Sequence, residues 1–176
     1  MAWKNRDRSK HVVSLLNLRP EDHVLEIGFG AGTDIERVQQ FASKGKVAGI
    51  DRSELMVRQA SRRNAKQIAL GKVELRLGTA DDLPFVDESF TRVFSINSAQ
   101  FWNDPIRVMR EIYRVLQPGG LAIVAVQPRS PNATAENSAD VRDILTHQMR
   151  LAGFTKIHGG LIPMKPTPVA YIQAIR

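Results

Sequence analysis

The residues of this chain whose types and spacing could do chemistry begin with Gly28, Gly30 and Gly32, in the stretch VLEIGFGAG at 24–32. The preceding residues, His23 to Ile27, carry the apolar Val24, Leu25 and Ile27 broken by Glu26, which reads as a buried strand. The chain then passes through Gly28-Phe29-Gly30-Ala31-Gly32 into Thr33-Asp34-Ile35, where a helix is expected to start with Thr33 or Asp34 as its cap. Glycine reaches backbone angles that other residues resist, and without a Cβ it lets a ligand lie against the main chain. Such a turn, opening on the free N–H groups of a helix N-terminus, suits a nucleotide. The plain alternative is a tight strand-to-helix turn with no ligand.

The spacing separates two kinds of nucleotide. A dinucleotide fingerprint, G-x-G-x-x-G, would place its third glycine where this chain has Thr33. Here the pattern is G-x-G-x-G, with an acidic residue, Glu26, two positions ahead of it. A second acidic residue, Asp51, ends the next apolar run, Lys46 to Ile50. A carboxylate at the end of a second strand can accept hydrogen bonds from both ribose hydroxyls.

These residues need elements to position them, and the periodicity supplies a regular alternation. Residues 9–18 carry an apolar stripe that suits a short helix, and residues 1–10 are expected to stay mobile until they order over a bound ligand. Ile35 to Ser43 reads as a helix, and Ser53 caps a long helix that ends at Gly71. Lys72 to Leu77 and Phe90 to Ile96 alternate as strands, with a loop at 78–85 between them. Asp104-Pro105 starts a helix with proline at its first position, and Pro118-Gly119-Gly120 breaks it. Leu121 to Val126 is wholly apolar, as in the centre of a parallel sheet. Ser130 to Ala139 reads as a mobile loop, Val141 to Ala152 as a helix, and Phe154 to His158 with Pro168 to Ile175 as a closing antiparallel hairpin. The fold expected is a doubly wound α/β sheet of seven strands, mostly parallel with an antiparallel C-terminal strand and helices on both faces. Residues 1–176 form a single domain in this reading: an N-terminal segment 1–19 able to cap the site, a cofactor-binding core 20–127, and a C-terminal helix with closing strands 128–176.

Composition removes other chemistries. At 176 residues the chain is long enough for a real core, and 43% hydrophobic with 24% charged residues is a globular balance. Cysteine is absent, which excludes disulfides, thiolate metal sites and a cysteine nucleophile. No apolar run approaches membrane-spanning length, and MAWKNRDRSK has no signal-type apolar region, so a cytoplasmic protein without membrane contact is expected. The net charge of +7 gathers at both ends of the chain. A basic surface can attract nucleic acid or an anionic substrate, though an ordinary soluble protein with a basic balance explains it equally well.

Four blocks in order make the pattern specific: VLEIGFGAG, GIDRSELM at 49–56, GTADDLPFVDESF at 78–90 and REIYRVLQPGG at 110–120. Together they resemble the UbiE-like small-molecule branch of class I methyltransferases, which use S-adenosylmethionine, over about residues 20–127. The resemblance implies that Gly28, Gly30 and Gly32 shape the floor under the cofactor's methionine part and that Glu26 supports its ammonium. It implies that Asp51 binds the ribose, that Arg52 and Met56 flank the adenine, and that Thr79 and Ala80 hold the adenine edge. Asn97 would end the fourth strand beside the methyl group. The family often has Asp where this chain has Thr79, so that contact would be neutral, with Asp81 as a compensating acid.

Methyl transfer from a sulfonium needs donor and acceptor held in line, plus a general base only for acceptors of high pKa. No clear base stands out; His11 or Asp7 could reach the site if the N-terminal segment folds over it, and Asn97 and Trp102 lie near the reacting end. Phe101 and Trp102 could pack an apolar acceptor or favour the sulfonium by cation–π contact. A covalent cysteine route to C5-pyrimidine methylation is impossible, and Asn97-Ser98-Ala99-Gln100 lacks the prolines of base-amine methyltransferases. A small-molecule acceptor, of unknown identity, is therefore favoured over RNA or protein, and over a silent cofactor-binding module. No metal is expected, and a monomer or homodimer would serve.

Overall fold

The computed structural model describes residues 2–176, and side chains from Asp7 onward. Seven strands form one sheet: β1 (Val24–Ile27), β2 (Val47–Asp51), β3 (Val73–Leu77), β4 (Phe90–Ile96), β5 (Leu116–Val126), β6 (Lys156–Ile162) and β7 (Val169–Ile175). They stand in the order β3-β2-β1-β4-β5-β7-β6. β7 is antiparallel to both neighbours, so the other six strands run one way. The strand order reverses between β1 and β4, and in open α/β sheets the ligand crevice lies outside the carboxyl ends of the strands at such a reversal.

Strand residues alternate between two apolar layers, as the two-residue period of a strand requires. On one face Val93, Ala122 and Val124 pack with Met109 and Ile112 of α5 (Pro105–Val115) and Met149 of α6 (Ala135–Leu151). On the other, Phe94, Ile123 and Ala125 pack with Val12 and Leu16 at α1 (Ala2–Leu15), Ile35 and Val38 of α2 (Thr33–Phe41), and Ala60 of α3 (Glu54–Arg63). The long helix expected after Ser53 is interrupted at Asn64, whose buried amide donates to Gly32 O at 3.1 Å and to Ala60 O at 2.9 Å; the short α4 (Ala65–Ala69) follows.

Three further expectations are corrected. Helix α1 starts at Ala2 rather than near residue 9, because Arg8, Ser9, Val12 and Val13 all find buried positions against the sheet. The side chains of residues 1–6, part of the segment 1–10 expected to order over a ligand, lie outside the described residues. Neither Thr33 nor Asp34 caps α2; Gly32 does, at φ 75°, and no side chain serves. The loop expected at 130–139 is helical from Ala135, because Thr134 and Asn137 form a capping box and the buried Ser138 hydroxyl donates to Pro168 O at 2.8 Å.

Candidate active site

A cavity of about 380 Å³ opens at the carboxyl ends of β1, β2 and β4. Of the residues singled out above, Gly28, Asp51, Arg52, Thr79, Ala80, Asp81, Asn97, Phe101 and Trp102 line it. Glu26, Gly30, Gly32, Met56 and His11 do not, and their positions say what each does instead.

The turn after β1 is shaped by its glycines. Gly28 sits at φ 78°, and a Cβ there would collide with the Ser98 side chain. Gly30, at φ 54°, has open space where a Cβ would stand, and its N–H donates to Asp51 Oδ2 at 2.8 Å. Asp51 Oδ1 accepts the Ser53 N–H at 3.0 Å. Asp51 therefore ties the glycine turn to the start of α3, a role the sequence did not disclose, while each oxygen keeps a second lone pair for a ligand hydroxyl. Gly32 caps α2 against Ala60 and Asn64. Met56 lies in the first turn of α3, where its N–H donates to Ser53 Oγ at 3.4 Å.

The far wall comes from the loop after β3 and from the segment after β4. Thr79 is exposed, and its hydroxyl hydrogen-bonds to Asp81, the main cause that holds the Asp81 carboxyl below its ordinary range. Asn97 takes the left-handed region at φ 55°, and its Oδ1 accepts the Gln127 N–H at 2.8 Å, which leaves its NH2 as the group able to serve the cavity. The exposed Phe101 stacks under the Arg52 guanidinium, 5.5 Å from ring centroid to carbon, so the two cross one side of the mouth. Trp102 Nε1 is buried and has no hydrogen-bond partner among the described residues. Sequence reasoning had considered the ring of this indole, as an apolar wall or a cation–π partner near the reacting end, but not its N–H.

Beneath the glycine turn the charges are buried. Glu26 is 3% exposed, and its Oε2 has no partner among the described residues. Burial, then repulsion from Asp34 and Asp51, raises its carboxyl well above the ordinary range, against a smaller pull from Arg37. Asp34 is raised too, by burial, although Ser9, Arg37 and Arg8 oppose the shift. His11 lies away from the cavity on the exposed side of α1, and its Nδ1 donates to Asp7 O at 2.8 Å.

The fourth sequence block turns out to be a clamp on the third. Glu111 Oε2 accepts the Leu83 N–H at 2.8 Å. Arg114 donates to Leu83 O at 2.9 Å, Phe85 O at 2.8 Å and Asp87 Oδ1 at 2.7 Å, and pairs with Glu111 at 2.7 Å. Two charged residues on α5 thus fix the backbone of the loop that carries Thr79 and Ala80. The sequence showed the block's spacing but not this task.

Among the described residues no helix is long and apolar enough to cross a membrane, and no cluster of candidate metal ligands occurs.

Residues 25–124 match the family described as "Methyltransferase domain". An uncharacterized methyltransferase, YdaC, of Bacillus subtilis (strain 168) is 30% identical over 166 residues, 94% of this chain and 90% of that protein. The demethylmenaquinone methyltransferase of Symbiobacterium thermophilum is 38% identical over 112 residues, 63% of this chain but only 45% of that longer protein. A crystal structure of a SAM-dependent methyltransferase from Aquifex aeolicus has the same fold, with a TM-score of 0.75 and 22% identity over 95% of this chain and 88% of that one. With the glycine turn, the acidic strand end and the clamped loop in the order the family requires, this chain belongs to the S-adenosylmethionine-dependent methyltransferases.

Proposed function

We propose that the cavity binds S-adenosylmethionine and that the enzyme moves its methyl group to a small-molecule acceptor by holding the two in line. The observation that carries the reading is the pairing of an open glycine turn with Asp51, whose two oxygens are already aimed by the N–H groups of Gly30 and Ser53. A preset carboxylate loses little freedom when it accepts ribose hydroxyls.

The remaining residues fit the rest of that molecule. Arg52 would flank the adenine, Thr79 and Ala80 would meet its edge, and the Trp102 N–H, unpartnered among the described residues, offers a donor in the same pocket. The glycine turn, with Gly28 on the cavity wall, would carry the methionine part, and the Glu26 Oε2 that has no hydrogen-bond partner among the described residues would gain one when an ammonium arrives. Bound there, the cofactor supplies a methyl group already activated as a sulfonium. The protein's part is orientation and the exclusion of water, with Asn97 and Trp102 nearest the reacting end. His11 is exposed and remote from the cavity, so it has no part in this reading. The cavity's volume of about 380 Å³ suits a nucleoside with little room to spare, and an acceptor would approach past Asn97.

Calorimetry tests the cofactor: S-adenosylmethionine or S-adenosylhomocysteine should bind at micromolar level and NAD should not. Tight NAD binding would sink the assignment. A product screen with methyl-labelled cofactor against metabolite pools tests the acceptor class; label found only in RNA or protein would move the acceptor out of the small-molecule class.

A further inference from the structure

Helix α3 reaches back to the glycine turn with its far end. Its last residue, Arg63, donates from Nε to Ala31 O at 3.0 Å. The same guanidinium donates from Nη1 to Glu36 Oε2 at 3.4 Å, in the first turn of α2. Asn64, the next residue, donates to Gly32 O at 3.1 Å. The near end of the helix holds the other side of the turn, where the Gly30 and Ser53 N–H groups each take one oxygen of Asp51. Gly30, Ala31 and Gly32 are therefore each bonded to a group that stands at, or is tied to, an end of α3.

The turn needs this support. Gly28, Gly30 and Gly32 all take positive φ, at 78°, 54° and 75°. Glycine loses more conformational freedom on ordering than any other residue. A turn left loose would have to be ordered when a ligand binds, at a cost in affinity. Arg63 does not line the cavity; with Ala31 and Glu36 it lines a separate open depression. Its side chain is 43% exposed, so the ion pair with Glu36 adds little stability by itself. What the pair does is aim the planar guanidinium, which leaves Nε directed at the carbonyl of the turn.

We propose that Arg63 is a positioning residue for the amino-acid end of the cofactor: it touches no ligand and acts by holding the Ala31 carbonyl, and with it the turn, in the binding conformation. The proposal rests on the cofactor reading for the identity of the ligand and on the geometry of the turn for the rest.

The test uses the full chain with three variants. Arg63→Met keeps the length of the side chain without its donors, Arg63→Lys keeps one charged donor, and Glu36→Gln removes the ion pair but leaves the Ala31 bond. S-adenosylhomocysteine and 5′-methylthioadenosine, which lacks the amino-acid end, are titrated into each protein. Hydrogen exchange of residues 28–34 is followed without ligand. R63M should bind S-adenosylhomocysteine about three- to tenfold more weakly, and methylthioadenosine within about twofold of wild type. Its turn should exchange faster. R63K should recover part of the lost affinity, and E36Q should lose less than R63M. A residue that merely joined two helices would weaken both nucleosides alike. Equal losses for the two, or unchanged S-adenosylhomocysteine affinity in R63M, overturn the positioning role. If neither nucleoside binds wild type, the cofactor reading falls instead. Exchange then decides the role of Arg63 alone: unchanged rates in R63M overturn its hold on the turn, and faster rates uphold it.

Discussion

The two ends of the cleft are built on different physics. The end walled by Asp51 and the loop after β3 is open to water: Thr79, Arg52 and Phe101 are exposed, and the half-buried Asp51 already has both oxygens hydrogen-bonded. Its shape is maintained from a distance, by Glu111 and Arg114 acting on backbone carbonyls and N–H groups. The end beneath α1 is dry. Arg8 and Glu26 are both under 10% exposed, and the charges there are set against each other with little water to screen them. The open end can be altered with local effects on affinity, whereas changes at the dry end alter folding stability and its pH dependence as well.

The largest effect should come from breaking the remote support of the open end. Arg114→Ala removes donors to Leu83, Phe85 and Asp87 and strands Glu111, and should cost about 2–4 kcal/mol of stability in urea unfolding. If the loop is merely decorated by the clamp, cofactor affinity will survive the change. Next, Asp51→Ala should weaken cofactor binding by about ten- to a hundredfold, since bonds to a charged group are worth roughly 1.5–3 kcal/mol each. It should also loosen the glycine turn, through the Gly30 N–H that it frees. Unchanged affinity in a folded D51A protein would remove the ribose role.

At the dry end the sign follows from the direction of the shift. The Glu26 carboxyl is raised above its ordinary 4.5, so the folded protein holds that proton more tightly than the unfolded chain does. Its contribution is complete below that value and is lost as pH climbs above it. Glu26→Gln should therefore flatten the fall of stability above about pH 4.5 while weakening cofactor binding. Melting curves across that range will show whether the slopes of the two proteins differ; identical slopes would mean that Glu26 ionises without cost. The smallest effect is expected at Thr79, where Thr79→Ala removes a neutral contact worth roughly 0.5–1.5 kcal/mol, or about tenfold or less in affinity. The Thr79–Asp81 hydrogen bond changes the outlook for Thr79→Asp, because a second carboxylate would stand beside Asp81. That variant should gain affinity only at high salt, where the repulsion is screened, and a titration at two salt concentrations will show it.

The open end was more legible in the sequence than the dry one. Asp51 and the glycines could be read because local backbone geometry restricts which residues can stand there. The strand alternation likewise gave the sheet and its closing hairpin, since a two-residue period is a local property. Arg8 could not be found this way. Its significance lies in partners far along the chain, Gln127 and Asp34, and its stretch of sequence reads only as a basic segment expected to be mobile. The start of α6 was missed for a related reason. Ser/Asn/Thr-rich composition suits a loop, and only the reciprocal Thr134–Asn137 bonds and the burial of Ser138 convert it into a helix.

The position of β7 has a consequence for how the chain reaches this structure. β5, wholly apolar from Leu121 to Val126, pairs with β4 on one side and with β7, residues 169–175, on the other. During synthesis its edge is thus available for pairing until residues about fifty positions later have left the ribosome. A long unpaired apolar edge is a template for aggregation, and closing it waits on contacts of high sequence separation. For this chain the hazardous interval is the passage of α6 and β6, when the glycine turn is already made but the centre of the sheet still has an open side.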